Sequence, residues 1–166
     1  MMLEVAIDAD EEWDSSKSWA TLAQAAAEAA IAESAFPQLA SGPRAVEISV
    51  LLTSDAEVRE LNAKWRGKDK PTNVLSFPLS EADELEAGDG PELMLGDLVL
   101  AHDVCSAEAA DKKLRIEDHA AHLLVHGTLH LLGYDHHDEA AAEDMESRER
   151  RALARLGIAD PYGDRG

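Results

Sequence analysis

Leu3, Val5 and Ile7 alternate with Glu4, Ala6 and Asp8, the period-two pattern that predicts a strand. Ser15 or Ser16 caps an expected helix through about residue 35, with Trp19, Leu22, Ala26 and Ala30 on its inner face. Phe36-Pro37 ends it, and Ser41-Gly42-Pro43 reads as a turn. Val46, Ile48, Val50 and Leu52 alternate with Glu47 and Ser49 and predict a second strand. Ser54-Asp55-Ala56-Glu57 spells a capping box, so a helix starts there with Val58, Leu61 and Trp65 as its apolar stripe, and Gly67 breaks it. A short strand is expected over 74–77, stopped by Pro78. Residues 80–91 are acidic, hold Gly88, Gly90 and Pro91, and read as a flexible surface loop. Residues 93–101 are apolar on both faces except at Gly96 and Asp97, as in a buried strand, and a helix over about 103–112 follows.

Residues 116–132 predict the next helix. At 100° per residue, His119, His122, His126 and His130 share one face. Ile116, Ala120, Leu123, Leu124 and Leu131 cover the adjoining flank, and Val125, Leu129 and Leu132 the other side. Only the histidine stripe is polar over the last turns, so this helix is expected to be central and buried, with His119 near the surface. Asp138 caps a final helix ending near Leu156, before Gly157, and residues 160–166 read as a frayed tail. No internal repeat or boundary divides the 166 residues, so the expectation is a single domain over 1–166.

A composition of 45% hydrophobic and 30% charged residues is that of a soluble globular protein. No apolar run approaches the roughly 20 residues of a membrane helix, and the first residues lack the basic and apolar regions of a signal peptide. A cytoplasmic protein with no membrane partner is expected. The single cysteine, Cys105, excludes intramolecular disulfides and cysteine-based zinc knuckles, and reads as buried and inert. The net charge of −19 argues against a general nucleic-acid binder. One short basic island stands out, since residues 64–70 carry four bases and one acid, whereas 81–92 carry six acids and no base.

The chemistry concentrates in residues 126–136, HGTLHLLGYDH, with histidines at i, i+4 and i+10 and a glycine at i+7. His126 and His130 lie one turn apart on one helix face, so both rings reach one metal ion. Gly133 can end the helix in a left-handed conformation, after which His136 can return to the same point. Three neutral imidazoles with an open position make the geometry of catalytic zinc. His137 and Asp135 compete with His136 for the third place. His122, one turn before His126, either touches substrate, orients a ligand or packs as a polar residue. Three neutral ligands leave the full 2+ charge on the metal, which suits an anionic substrate. The zinc-peptidase pattern H-E-x-x-H-x-x-G-x-x-H shares the spacing but puts its general-base glutamate where Gly127 stands. An orthodox peptidase mechanism is therefore disfavoured.

HGTLHLLGYDH at 126–136 resembles the signature of the bacterial YbeY family, zinc-dependent endoribonucleases and rRNA maturation factors. WRGKDKPTNVLSFP at 65–78 resembles a second landmark of that family, and Leu95-Gly96-Asp97 a third. The resemblance runs from the helix at 54 to the last helix. It implies an α+β fold, a small mixed β-sheet of about four strands packed with about five or six helices, the zinc-binding helix central. It implies that His126, His130 and His136 hold one Zn2+ per chain, and that Arg66 lines the cleft and is needed for activity. A guanidinium there can clamp a phosphodiester and stabilise charge developing on its oxygens. Lys68 and Lys70 are candidates for further phosphate contacts, and His122 for substrate contact. The expected function is a single-strand-specific endoribonuclease, a hydrolase of RNA acting in ribosomal RNA processing and ribosome quality control. A small-subunit ribosomal protein and an Era-type GTPase are the partners implied. The rivals are another zinc hydrolase of peptidase type, and a non-catalytic ribosome assembly factor with a structural metal.

Overall fold

The protein is described from a computed structural model that covers residues 3–14, 16–42, 44–81, 84–85, 92–135 and 137–158. Alternating apolar positions build four strands, β1 (Leu3–Ala9), β2 (Val46–Thr53), β3 (Val74–Pro78) and β4 (Leu93–Ala101), in the order β1-β2-β4-β3. The first two pairings are parallel, and β3 runs antiparallel to β4 at the edge. Parallel neighbours need long crossovers. Helix α1 (Trp19–Ala32) with the short α2 (Gln38–Ser41) supplies the first, and α3 (Asp55–Arg66) with β3 the second. Three helices complete the chain, α4 (His102–Asp111), α5 (Ile116–Leu131) and α6 (Glu139–Arg155). This is the expected mixed α+β arrangement.

One face of the sheet carries the main core. Val50 and Leu52 of β2 pair in register with Leu98 and Leu100 of β4, and with Ile48 they join one buried cluster with Ala26, Ala30 and Ile31 of α1 and Leu124 and Leu129 of α5. Burying each of these larger aliphatic side chains contributes roughly 1.5–3 kcal/mol. The alanine-rich face of α1 lets α5 pack closely beside it, and α6 lies against both. The outer edge of β1 is closed by Gln24 of α1. Its amide donates to Leu3 O at 3.0 Å and accepts from Val5 N at 3.1 Å, satisfying groups that would otherwise invite a foreign strand.

The opposite face of the sheet carries a smaller cluster, Val58, Leu75, Val99 and Ala101. Beside it lies an apolar groove of about 680 Å³, bordered by Ile7, Leu51, Leu61, Trp65, Phe77 and Leu79. Trp65 is 63% exposed, so the expected stripe on α3 is buried only at Val58 and half-buried at Leu61.

Other differences have local causes. Helix α1 starts at Trp19, because residues 10–14 fold into turns that bury Trp13. The Trp13 indole donates to Thr53 O at 3.0 Å and meets Trp19 edge to face at 5.0 Å. The loop expected over 80–91 lies mostly outside the described residues, but Leu85 within it is 2% exposed and belongs to the main core. Leu85 itself is thus anchored in the core, although acidic residues surround it in the sequence. The tail expected at 160–166 lies outside the described residues. Among the described residues, no helix is long and apolar enough to cross a membrane.

Candidate metal centre

The central helix α5 begins with Glu117 and Asp118 in its first turn, where carboxylates complement the helix dipole. It ends as its sequence predicts. Gly133 takes a φ of 96°, its N–H donates to His130 O at 3.0 Å, and Tyr134 N–H reaches back to Leu129 O at 3.0 Å. The chain turns there and enters α6 through Asp138, whose carboxylate accepts from Ala141 N–H at 2.7 Å.

His126 and His130 present their Nε2 atoms to each other at 3.1 Å, with the rings nearly perpendicular at 81°. Two nitrogens at about 2.0–2.1 Å from one tetrahedral zinc stand roughly 3.3 Å apart, so the pair fits a shared metal ion. The tautomer fits as well. Nδ1 of His126 faces a carboxylate oxygen of Glu149 at 2.9 Å, so Nδ1 carries the proton and Nε2 keeps its lone pair.

Glu149 comes from α6 and is 1% exposed. Its other oxygen accepts from His122 Nε2 at 2.7 Å, so each carboxylate oxygen has an imidazole donor. His122 is buried and is tied to His126 through this shared carboxylate. Sequence reasoning missed Glu149. The signal was present, since Glu149 occupies the same stripe of α6 as the buried Met145, Ala152 and Leu153. A carboxylate in an apolar stripe requires a partner.

A second carboxylate–imidazole pair sits further toward the start of α5. His119 is 1% exposed, which corrects the expectation of a surface position, because α4 packs over this turn and brings Glu108 to it. His119 Nε2 donates to Glu108 Oε1 at 2.8 Å, and Asn73 Nδ2 donates to the same oxygen at 3.0 Å. Burial holds the His119 imidazole below its usual pKa, opposed by the Glu108 hydrogen bond. For Glu108, burial pushes the carboxyl up, but the hydrogen bonds from His119 and Asn73 outweigh it and the net shift is down. Glu108, Asn73, Lys112, His122 and His126 line one small cleft of about 180 Å³. Cys105 is buried nearby, and burial pushes its thiol up to about 12, in keeping with an inert side chain.

Gly127 has a steric reason. A Cβ at this position would lie 2.7 Å from Leu98 Cδ2 and 3.3 Å from Ser76 Oγ. The helix approaches β3 and β4 so closely that any side chain here must displace Leu98, and a glutamate would displace more than an alanine. Arg66 lies at the other side of β3, where its Nη2 donates to Ser76 O at 2.7 Å and its guanidinium stands 5.7 Å from the Phe77 ring centre. Lys68 and Lys70 are exposed in the turn after α3, which the buried Asn62 holds through Lys70 O at 2.9 Å. Asp69 in that turn pairs with Arg59 at 2.8 Å. Neither lysine contacts a histidine among the described residues. His136 lies outside the described residues. His137 is 69% exposed in its side chain, with Nε2 at 3.2 Å from the capping Asp138.

Elsewhere, Glu12, His102 and Asp103 bring three ligand-type atoms within 4.8 Å of one another. His102 packs on Trp13 and pairs with Asp103 at 2.9 Å, as a surface ion pair does, and none of the three borders the histidine cleft.

The family model described as "Endoribonuclease YbeY" matches residues 6–157. A Sphingopyxis alaskensis protein named Endoribonuclease YbeY is 49% identical over 166 residues, covering 98% of this chain and 99% of that protein. A Novosphingobium aromaticivorans protein of the same name is 51% identical over 160 residues, covering 94% and 93% respectively. The solution structure of a Thermotoga maritima protein superposes with a TM-score of 0.55 at 25% identity, covering 99% of this chain and all of that one.

Proposed function

Starting from the fact that the chain belongs to the YbeY endoribonuclease family, we propose that it is a zinc-dependent, single-strand-specific endoribonuclease of ribosomal RNA processing and ribosome quality control. It works as a single cytoplasmic domain. The observation that carries the reading is the facing pair of Nε2 atoms on His126 and His130, 3.1 Å apart, with Glu149 holding the outer nitrogen of His126. These two histidines hold the ion together with His136, the third ligand read from the i+10 spacing. When bound, zinc polarises a phosphoryl oxygen and acidifies water at neutral pH.

The chain's own residues supply the rest. Glu149 fixes the tautomer and direction of His126, and through its second oxygen it holds His122 at the cleft wall. Gly127 lets α5 lie against β3, which brings the strand bearing the Arg66 contact up to the metal helix. The Arg66 guanidinium, oriented by Ser76 O and Phe77, offers its remaining N–H groups to phosphoryl oxygens as charge grows on them. Lys68 and Lys70 extend the cationic surface beside it. With a net charge of −19, charge alone does not bring this protein to RNA. A small-subunit ribosomal protein and an Era-type GTPase supply the targeting.

The test is RNA cleavage by the purified protein beside His126→Ala and Arg66→Ala, with zinc content measured on each. His126→Ala loses both zinc and cleavage. Arg66→Ala keeps zinc and cuts roughly 100- to 1000-fold more slowly. Cleavage at the parent rate by both variants defeats the enzyme reading, and stoichiometric zinc in His126→Ala defeats the ligand assignment.

A further inference from the structure

The cleft beside His126 holds one acceptor that the protein leaves unused. Glu108 Oε1 takes two donors, His119 Nε2 at 2.8 Å and Asn73 Nδ2 at 3.0 Å, while Oε2 has no hydrogen-bond partner among the described residues. The two props are themselves fixed. Asn73 uses its other end to accept from Val74 N–H at 2.7 Å. His119 is 1% exposed, and its buried Nδ1 has no partner among the described residues. A buried N–H without an acceptor costs more than a bare lone pair, so the proton sits on Nε2 and points at Glu108. Glu108 thereby stands as an ionised carboxylate, an acceptor only, with its side chain 36% exposed at the cleft. Lys112, one helical turn on, supplies a cation at the same cleft.

We propose that Glu108 Oε2 accepts the 2′-hydroxyl of a ribose lying in this cleft, and that Lys112 pairs with a phosphate of the same strand, so that Glu108 selects RNA over DNA. The inference rests on the endoribonuclease reading above. A cleft of about 180 Å³ admits a single sugar or base beside His126, not a length of strand. A ribose hydroxyl is a donor that a carboxylate can take, and it is the group that distinguishes RNA from DNA at a given position. A deoxyribose in the same place desolvates Oε2 and returns nothing. A bare phosphate is disfavoured at Glu108 by like charge, which leaves the anionic part of the strand to Lys112. The groups facing Glu108 are His119 and His122 from α5, Asn73 just before β3, and Cys105 and Lys112 from α4 and its end.

The zinc-loaded protein is tested with a single-stranded RNA substrate and, as competitive inhibitor, the DNA strand of the same sequence. In the parent, the RNA KM lies below the DNA inhibition constant by roughly 10- to 100-fold, the size of a hydrogen bond to a charged group. In Glu108→Ala the RNA KM and the DNA inhibition constant converge, the RNA KM rising as the hydrogen bond is lost and the DNA inhibition constant falling as the desolvation of Oε2 is relieved. Lys112→Ala weakens both together and leaves their ratio unchanged. Glu108→Asp, which withdraws the carboxylate by one methylene, gives an intermediate ratio and covers the case in which the alanine variant does not fold. An unchanged RNA-to-DNA ratio in the Glu108 variants, or equal weakening of both strands, overturns the assignment. A parent protein that binds zinc but cuts no RNA sinks the endoribonuclease reading itself, a different result from cutting without Glu108-dependent selection.

Discussion

Glu149 and Glu108 both accept hydrogen bonds from histidines on α5, yet their surroundings differ. Glu149 is 1% exposed and has one imidazole donor on each oxygen. Glu108 is partly exposed and has two donors on one oxygen and, among the described residues, none on the other. A sealed carboxylate is tolerable only when each oxygen is hydrogen-bonded, because its desolvation is otherwise uncompensated. Glu149 is therefore spent on holding protein groups in place. Glu108 keeps an acceptor for something that arrives from outside. One helix thus carries a positioning pair at the proposed metal site and a receiving pair about two turns earlier.

The largest test of that contrast is Glu149→Leu. It strands the His122 and His126 donors, at roughly 1–3 kcal/mol each, and lowers zinc affinity by about 10- to 100-fold, as loss of a carboxylate behind a histidine ligand does. Urea unfolding of the metal-free protein and a zinc competition titration measure the two effects. Parent-like zinc affinity in this variant would erase the distinction between the carboxylates.

Gly127→Ala comes next, because the packing at Gly127 sets how closely both pairs approach the sheet. Its new Cβ meets Leu98 at 2.7 Å, and overpacking of this kind costs about 1–3 kcal/mol. A lowered urea midpoint is expected, and Gly127→Glu should unfold more readily still and show no peptidase activity. An alanine variant as stable as the parent would show that α5 can lift from β3.

A smaller effect appears in the pH dependence. His119 is held below the usual imidazole pKa, chiefly by burial. The unfolded chain therefore takes up a proton near pH 6.5 that the folded chain resists, so stability falls as pH drops below about 6.5. Glu108 is depressed as a carboxyl, so its contribution is present above about pH 4.3 and is lost as pH falls through its folded value. In His119→Asn the loss of stability between pH 7 and pH 5.5 should be shallower, read from urea midpoints at several pH values. An unchanged slope would mean that this histidine charges without resistance.

The smallest effect separates the Glu108 cleft from the outlying lysines. Each lysine that touches a phosphate adds about 0.7 to the slope of log affinity against log salt for a single strand. Lys112→Ala should lower that slope by this amount and Lys68→Ala and Lys70→Ala each by no more. A steeper loss from Lys68 or Lys70 would move the centre of the RNA surface toward the end of α3.

Much of this molecule follows from its sequence, because its strongest signals are local. Alternation over residues 3–8 and 46–52, the Ser54 cap, the turn at Gly133 and the Asp138 cap all concern groups within a few residues of one another, and each appears where the pattern puts it. The same holds for His126 and His130, whose meeting needs only one turn of helix. What depends on distant chain was hidden. Glu149 reaches His126 across 23 residues and Glu108 reaches His119 across 11, each from another helix, so no spacing rule announces them. Trp13 is buried by a strand 40 residues away, whereas Trp65 on its own helix is left exposed beside the groove on the sheet's second face. Gly127 shows the division in one residue. Its sequence position said that a peptidase glutamate is missing, and only the approach of Leu98 and Ser76 showed that a side chain here must displace its neighbours. Helical and strand periodicity are properties of the chain, whereas burial and the partner of a buried charge are decided when separate elements pack.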